Sequence, residues 1–143
     1  MTRAVLDSVV LISAFLRPGG VADGVLHQAY ECTFELFLAE EILSETRRVL
    51  LEADRIRRRY VYPDESVHRF IVGLRALAQM TGSLPTLTGI VERDPNDDMI
   101  VACALVAGAD YIVTRDDDLL SLRTYESIIR MTPEAFMSVL RNS

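Results

Sequence analysis

The sequence predicts an α/β protein in which a parallel sheet is covered by helices on both faces. Short apolar runs typical of strands alternate with longer stretches of helical periodicity along the whole chain. With 143 residues, half of them hydrophobic, the chain is long enough for one well-packed core. No internal repeat, linker or low-complexity segment interrupts it. We therefore expect a single domain over residues 1–143.

The first half of the chain contains two predicted strands and three predicted helices. Pro18, Gly19 and Gly20 form a break between the first two helical segments. The third helical segment is amphipathic, with apolar residues at i, i+3, i+4 and i+7 spacing. The predicted strands cover residues 3–7 and 34–38, and the predicted helices cover residues 9–16, 21–30 and 40–51.

The second half is predicted to continue the alternation. The apolar run after Pro95 is a helix that Gly108 ends, and Thr132 with Pro133 is a typical start for the last helix. A turn of helix is predicted to start at Leu119. The other predicted elements are a helix over residues 65–80, a short strand near residues 83–84 within the loop 82–89, a buried strand over residues 110–114 and an edge strand over residues 128–131.

Charge composition limits the chemistry that this chain can perform. The formal net charge is −6, so the overall field repels a polyanion, and binding of a nucleic acid needs a local basic patch or a bound cation. All 15 basic residues are arginine, which excludes a phosphate-loop lysine or a Schiff base. Cys32 and Cys103 lack metal-ligand spacing, and neither a signal peptide nor a membrane span is apparent. We expect a cytoplasmic protein without a membrane partner.

Acidic residues occur where a parallel sheet places its sites, beyond the carboxyl ends of the strands. Asp7 ends the first apolar run, Asp116 follows the strand over residues 110–114, Asp97 begins the helix before that strand, and Glu45 lies early in the helix after the second strand. If the first and fourth strands are neighbours, these carboxylates meet at one edge. Clustered carboxylates raise each other's pKa, and Mg²⁺ or Mn²⁺ relieves the repulsion. Such an ion can activate water against a phosphodiester.

A single Asp near a strand end is more often a turn or cap residue than a ligand. That interpretation is preferred for Asp94, Asp98, Asp110 and Asp117 taken one at a time. For Glu45 alone, a solvated helix position is equally acceptable.

Several segments together resemble the PIN-domain family, metal-dependent ribonucleases that include the VapC-type toxins of bacterial toxin–antitoxin pairs. The segments are residues 5–13, 42–45, 94–98, 107–120 and 132–136. The resemblance implies a three-layer α/β/α sandwich around a parallel sheet, a homodimer, and RNA hydrolysis by metal-activated water. It also implies a small antitoxin that blocks the acidic cleft. The metal ligands that it implies are Asp7, Glu45, Asp97 and Asp116, supported by Ser8, Thr114, Asp118 and Asp98.

One position departs from the family pattern. The first motif of the family usually reads Asp-Thr-Asn, and here it reads Asp7, Ser8 and Val9. Ser8 keeps the hydroxyl, whereas Val9 cannot supply the amide that orders the acidic pocket or its water. Loss of such an outer group commonly reduces metal affinity or activity by about tenfold to a hundredfold. Weakened rather than abolished catalysis is therefore expected.

The basic stretch over residues 54–62 is the candidate nucleic-acid contact. Its arginines could bind phosphates and its tyrosines could stack on bases, although a solvated helix end or a protein-contact surface is the preferred interpretation. The candidate contacts are Arg55, Arg57, Arg58, Arg59 and Tyr60.

Two other functional classes compete with the nuclease. A non-catalytic PIN-like module that binds RNA or a protein is favoured by Val9. A phosphotransferase or phosphatase with an aspartyl intermediate on Asp7 is disfavoured, because its known versions need a lysine and this sequence has none.

Overall fold

The computed structural model describes residues 1–85, 95–121 and 127–142, and for residues 95–97 it describes the backbone only. The strands are β1 (Arg3–Leu6), β2 (Glu35–Leu38), β3 (Gln79–Met80), β4 (Tyr111–Val113) and β5 (Ile129–Met131). The helices are α1 (Ser8–Leu16), α2 (Val21–Tyr30), α3 (Glu40–Glu52), α4 (Asp54–Arg59), α5 (Asp64–Leu77), α6 (Pro95–Ala107), α7 (Asp117–Leu120) and α8 (Pro133–Arg141).

Within the described residues the strands form one five-stranded sheet in the order β3-β2-β1-β4-β5, and each neighbouring pair is parallel. The sheet is flanked by helices, as a three-layer α/β/α fold requires. α6 packs directly against β1, β2 and β4, while α1 packs against α2 and α3. The predicted fold class is confirmed.

The order of the strands decides where the acidic residues meet. β1 lies between β2 and β4, and Leu6 of β1 pairs with Val113 of β4. The residues that follow these two, Asp7 and Thr114, therefore leave the sheet side by side at its carboxyl edge. The condition that the first and fourth strands be neighbours is met.

The core consists of aliphatic side chains from the sheet and from the inner faces of the helices. Val5, Leu6 and Ile112 are fully or almost fully buried in the sheet. Phe136 of α8 packs edge-on against Phe34, with ring centroids 4.9 Å apart, and this contact holds the last helix onto the domain.

Helix termini follow local rules. Asp7 caps α1 by accepting a hydrogen bond from the backbone of Val10 (2.9 Å), and Thr132 caps α8 through the backbone of Ala135 (3.2 Å). Gly108 adopts a φ of +62° directly after α6, which is the left-handed conformation that commonly ends a helix.

Two predictions in the middle of the chain are wrong. The helix predicted over residues 65–80 ends at Leu77, and the short strand predicted near residues 83–84 is instead β3. Gln79 and Met80 pair with the end of β2, and the backbone N–H of Thr81 donates to the carbonyl of Leu38 (2.9 Å). Pairing with an existing strand therefore takes these residues out of the helix.

No single helix within the described residues is both long and apolar enough to cross a membrane. α1 and α2 together reach that length and composition, but they are bent by 100° relative to each other.

Candidate active site

The centre of the candidate site is a hydrogen-bonded chain that joins Asp7, Thr114 and Asp116. Thr114 is fully buried, and its hydroxyl donates to Oδ2 of Asp7. The same hydroxyl oxygen accepts a hydrogen bond from the backbone N–H of Asp116 (2.9 Å). Oδ1 of Asp7 is held by its contact with Val10 at the start of α1. One hydroxyl therefore orients the Asp7 carboxylate and fixes the turn that carries Asp116.

Asp116 is oriented by the short helix that follows it. Its Oδ1 accepts hydrogen bonds from the backbone N–H groups of Asp118 (2.8 Å) and Leu119 (3.4 Å), so it is the N-cap of α7. Both contacts use Oδ1. The half-buried Asp116 carboxylate is thus held in one orientation, and Asp118 contributes its backbone to that arrangement.

Burial makes the Asp7 carboxylate easier to protonate than an exposed one. The pKa of Asp7 is raised from the ordinary 3.8 to about 6, chiefly because the group is removed from water and to a smaller extent because of the negative charge of Asp116. The hydrogen bonds from Thr114 and from the backbone of Val10 act in the opposite direction. A cation bound between Asp7 and Asp116 would relieve both of the effects that raise this pKa.

Glu45 does not join Asp7 and Asp116 in one cluster of carboxylates. Its two carboxylate oxygens accept hydrogen bonds from the Nε (3.2 Å) and Nη2 (2.7 Å) groups of Arg48, one turn further along α3. It lines an opening of about 350 Å³ between the N-terminal half of α3 and Met99 of α6. Arg48 was not among the predicted site residues, although the i, i+3 spacing from Glu45 is a signal that could have identified it.

The other predicted acidic ligand comes from the start of α6. The side chain of Asp97 lies outside the described residues, as does Asp94. Asp98, the next residue along, is buried and has interactions of its own. Ser8 is half-buried in the first turn of α1, while the side chain of Val9 is 50% exposed beside it.

The donors of the site suit a hard divalent cation, because the described ones are carboxylate and hydroxyl oxygens. Asp7 and Asp116 supply two carboxylates whose orientation is fixed before binding. Among the side chains that the structure describes, no group of three His, Cys, Asp or Glu residues could hold a metal ion. The four-carboxylate site therefore stays a prediction that needs both Asp97 and a movement of Glu45.

The predicted nucleic-acid contact is a short helix, α4, and part of it is used within the fold. The guanidinium of Arg57 contacts Asp64 (2.6 Å) and lies over the ring of Tyr62, with its Cζ 4.6 Å from the ring centroid. The hydroxyl of Tyr62 donates to the carbonyl of Leu50 (2.7 Å), so that ring packs against the domain. The remaining arginines, Arg55, Arg58 and Arg59, are exposed, and Tyr60 is half-buried.

Comparison with known proteins identifies the family to which this chain belongs. A family model described as "PIN domain" matches residues 3–118, which include Asp7, Glu45, Asp97 and Asp116. The chain belongs to the PIN-domain family. PIN domains are typically metal-dependent nucleases.

Among solved structures, the chain is similar to PAE2754 from Pyrobaculum aerophilum. The TM-score is 0.64 at 16% sequence identity, over 99% of this chain and 91% of that one. At this identity the similarity supports the fold alone. No curated protein sequence matches the chain.

Proposed function

We propose that this chain is a metal-dependent endoribonuclease that hydrolyses RNA with Mg²⁺ or Mn²⁺ held by Asp7, Glu45, Asp97 and Asp116. The observation that carries the proposal is the hydrogen-bonded chain from Asp7 through Thr114 to Asp116. It aligns two carboxylates at the carboxyl ends of neighbouring strands in a PIN domain. Outside catalysis or metal binding, a carboxylate buried like Asp7 is normally paired with a cation.

The chain's own residues prepare the site for a cation. Thr114 and the N-terminus of α1 fix Asp7, and the N–H groups of α7 fix Asp116. When bound, the divalent ion lowers the pKa of a coordinated water and stabilises negative charge on the phosphate.

The contact between Glu45 and Arg48 is exposed on one side only, because the Arg48 side chain is 57% exposed and the Glu45 side chain is 18% exposed. The exposed guanidinium of Arg48 can turn towards solvent when another cation binds Glu45. A divalent cation near Asp7 can therefore compete with Arg48 for the Glu45 carboxylate.

Cleavage of labelled single-stranded RNA in Mn²⁺ or Mg²⁺ tests the proposal. We expect the wild type to cut, EDTA to stop cutting, and Asp116→Asn to lose more than the roughly tenfold to hundredfold expected for an outer group. Asp117→Asn is the matched control, because it removes the same charge from an exposed neighbour. Equal cutting by wild type and Asp116→Asn would contradict the proposal.

A second candidate function is supported by Val9, whose exposed apolar side chain stands where the family usually has Asn. On this alternative the chain is a PIN-like module that binds RNA or a protein without cutting. The same cleavage assay decides between the two when it includes Val9→Asn. Cutting by Val9→Asn and not by the wild type would identify a nuclease site that Val9 has made inactive.

The resemblance to VapC-type toxins is the support for two proposed partners, a second copy of this chain and a small antitoxin that covers the acidic cleft. The oligomeric state in solution tests the first. The second is tested by inhibition when the product of an adjacent small gene is added.

A further inference from the structure

An RNA-cleaving enzyme of net charge −6 needs a local cationic surface along which the RNA backbone can lie. α3 presents two parallel stripes of polar side chains between residues 40 and 48, each spaced i, i+4 and i+7. One stripe is Glu41, Glu45 and Arg48, which line the opening that Met99 of α6 also borders. The other stripe is Glu40, Ser44 and Arg47, which line a separate groove.

This second groove lies between α3 and α5 and has a volume of about 230 Å³. Its floor is formed by the buried side chains of Leu43 and Ile71. Its polar wall on the α5 side consists of His68 and Arg75. An apolar floor with cationic and N–H-donating walls fits a chain of phosphates better than an apolar ligand.

The two arginines of the groove differ, because Arg75 is paired with Glu40 whereas Arg47 is exposed to solvent. The guanidinium of Arg75 holds Glu40 through two hydrogen bonds, Nε to Oε1 and Nη2 to Oε2, both 2.8 Å long. This contact ties α5 to the start of α3 and neutralises one charge of each sign. Arg75 has five N–H donors in all, so others remain for a phosphate. Arg47 and His68 are exposed in the same groove, and Arg47 provides its net positive charge.

The groove adjoins the opening that Glu45 lines. Glu40 and Ser44 line both of them, and Glu45 is only one residue further along α3 than Ser44. The exposed arginines of α4 line neither this groove nor the opening.

We propose that the groove between α3 and α5 binds the phosphate backbone of single-stranded RNA next to the cleavage site, with Arg47 as its principal contact. His68 and the free N–H groups of Arg75 supply further donors to the same backbone. This inference rests on the proposed function, and it assigns the RNA path to this groove instead of to α4.

Direct binding of RNA measures the contribution of Arg47 without cleavage. The full chain is titrated in EDTA against a short fluorescent single-stranded RNA at several salt concentrations, as wild type, Arg47→Ala, Arg47→Lys and Arg58→Ala. Loss of one phosphate contact to single-stranded RNA should reduce the slope of log K against log[salt] by about 0.7. We expect that reduction, with severalfold weaker binding at low salt, in Arg47→Ala. Arg47→Lys should recover most of the affinity.

Arg58→Ala is the matched control, because it removes the same charge from an exposed position on α4. It should bind RNA as the wild type does. If Arg47→Ala keeps wild-type affinity and salt slope, or if Arg58→Ala weakens binding equally, the groove is not the RNA path.

Cleavage measured in parallel with Mn²⁺ separates this inference from the proposed function. Cutting by the wild type together with unaltered binding by Arg47→Ala would overturn the groove and leave the nuclease intact. RNA binding that depends on Arg47, without any cutting by the wild type, would support the groove and contradict the nuclease. A wild type that does not bind RNA would overturn the groove whatever the cleavage result.

Discussion

At the scale of single residues, Thr114 is the connection on which the site depends. Its hydroxyl donates to Asp7 and accepts from the backbone of Asp116, and both of these groups lose a partner if the hydroxyl is removed. A group left unsatisfied by such a change typically destabilises a protein by about 1–3 kcal/mol. We expect Thr114→Val to reduce the free energy of unfolding by at least that amount, measured by urea titration without metal.

Thr114→Ser is the control for this prediction, because it keeps the hydroxyl and removes only a methyl group. It should retain cleavage and most of the stability, whereas Thr114→Val should lose cleavage as well. If the valine variant is as stable and as active as the serine variant, the hydroxyl does not organise the site.

Asp7 is expected to make the stability of the metal-free protein depend on pH. Its pKa in the fold, about 6, lies above the ordinary 3.8, so the folded state binds this proton more tightly than the unfolded state. The resulting stabilisation is complete below about pH 3.8 and is lost as the pH rises through 6. A difference of about two pKa units corresponds to roughly 3 kcal/mol.

Asp7→Asn removes this titration. In EDTA, the free energy of unfolding of the variant minus that of the wild type should therefore increase by about 2 kcal/mol between pH 4.5 and pH 7.5. Urea titrations at the two pH values measure the difference. Asp117→Asn should follow the wild type, because that carboxylate is exposed. An Asp7→Asn variant whose stability runs parallel to the wild type would show that Asp7 ionises normally.

At the scale of elements, the parts of the fold that carry their own local signals could be predicted from the sequence. α1, α6 and α8 have a side-chain cap, a first-turn proline or a glycine at the end, and these act within a few residues. β3 has no such signal. Its two residues become a strand only because β2 offers a free edge, and that edge exists only in the folded sheet.

The two cationic surfaces, on α4 and between α3 and α5, also differ in how much of each the sequence reveals. The basic stretch on α4 is conspicuous in the sequence because its arginines are consecutive. Arg57, however, is bound to Asp64 and packed on Tyr62, which sequence spacing alone does not reveal. The groove between α3 and α5 combines Arg47 with His68 and Arg75, which are more than twenty residues away. Only the packing of the two helices brings these side chains together.

At the scale of the whole molecule, the parallel topology concentrates acidic residues at one edge. The sequence predicted that Asp7 and Asp116 follow strands, but their meeting depended on an unknown strand order. That order places β1 beside β4. Glu45 lies on α3 and is bound to Arg48, a contact formed within one helix turn. The meeting of Asp7 and Asp116 was therefore predicted on a stated condition, while the ion pair between Glu45 and Arg48 was not predicted.

A cation that binds this edge should stabilise the folded protein as a whole. A ligand that binds only the folded state adds about 2.7 kcal/mol to the free energy of unfolding at a concentration one hundred times its dissociation constant. We expect Mn²⁺ to raise the Tm of the wild type at pH 7.5 relative to EDTA. Asp7→Asn and Asp116→Asn should lose most of this rise, because each removes a ligand charge.

Asp117→Asn is again the matched control and should keep the full rise in Tm. An equal rise in all four proteins would mean that Mn²⁺ acts through general charge screening of an acidic chain. This measurement also separates the two candidate functions independently of any RNA sequence. A rise that depends on Asp7 and Asp116 but is accompanied by no cleavage would identify a metal-binding module. The same rise with cleavage identifies the nuclease, because one pair of carboxylates then supports both the fold and the reaction.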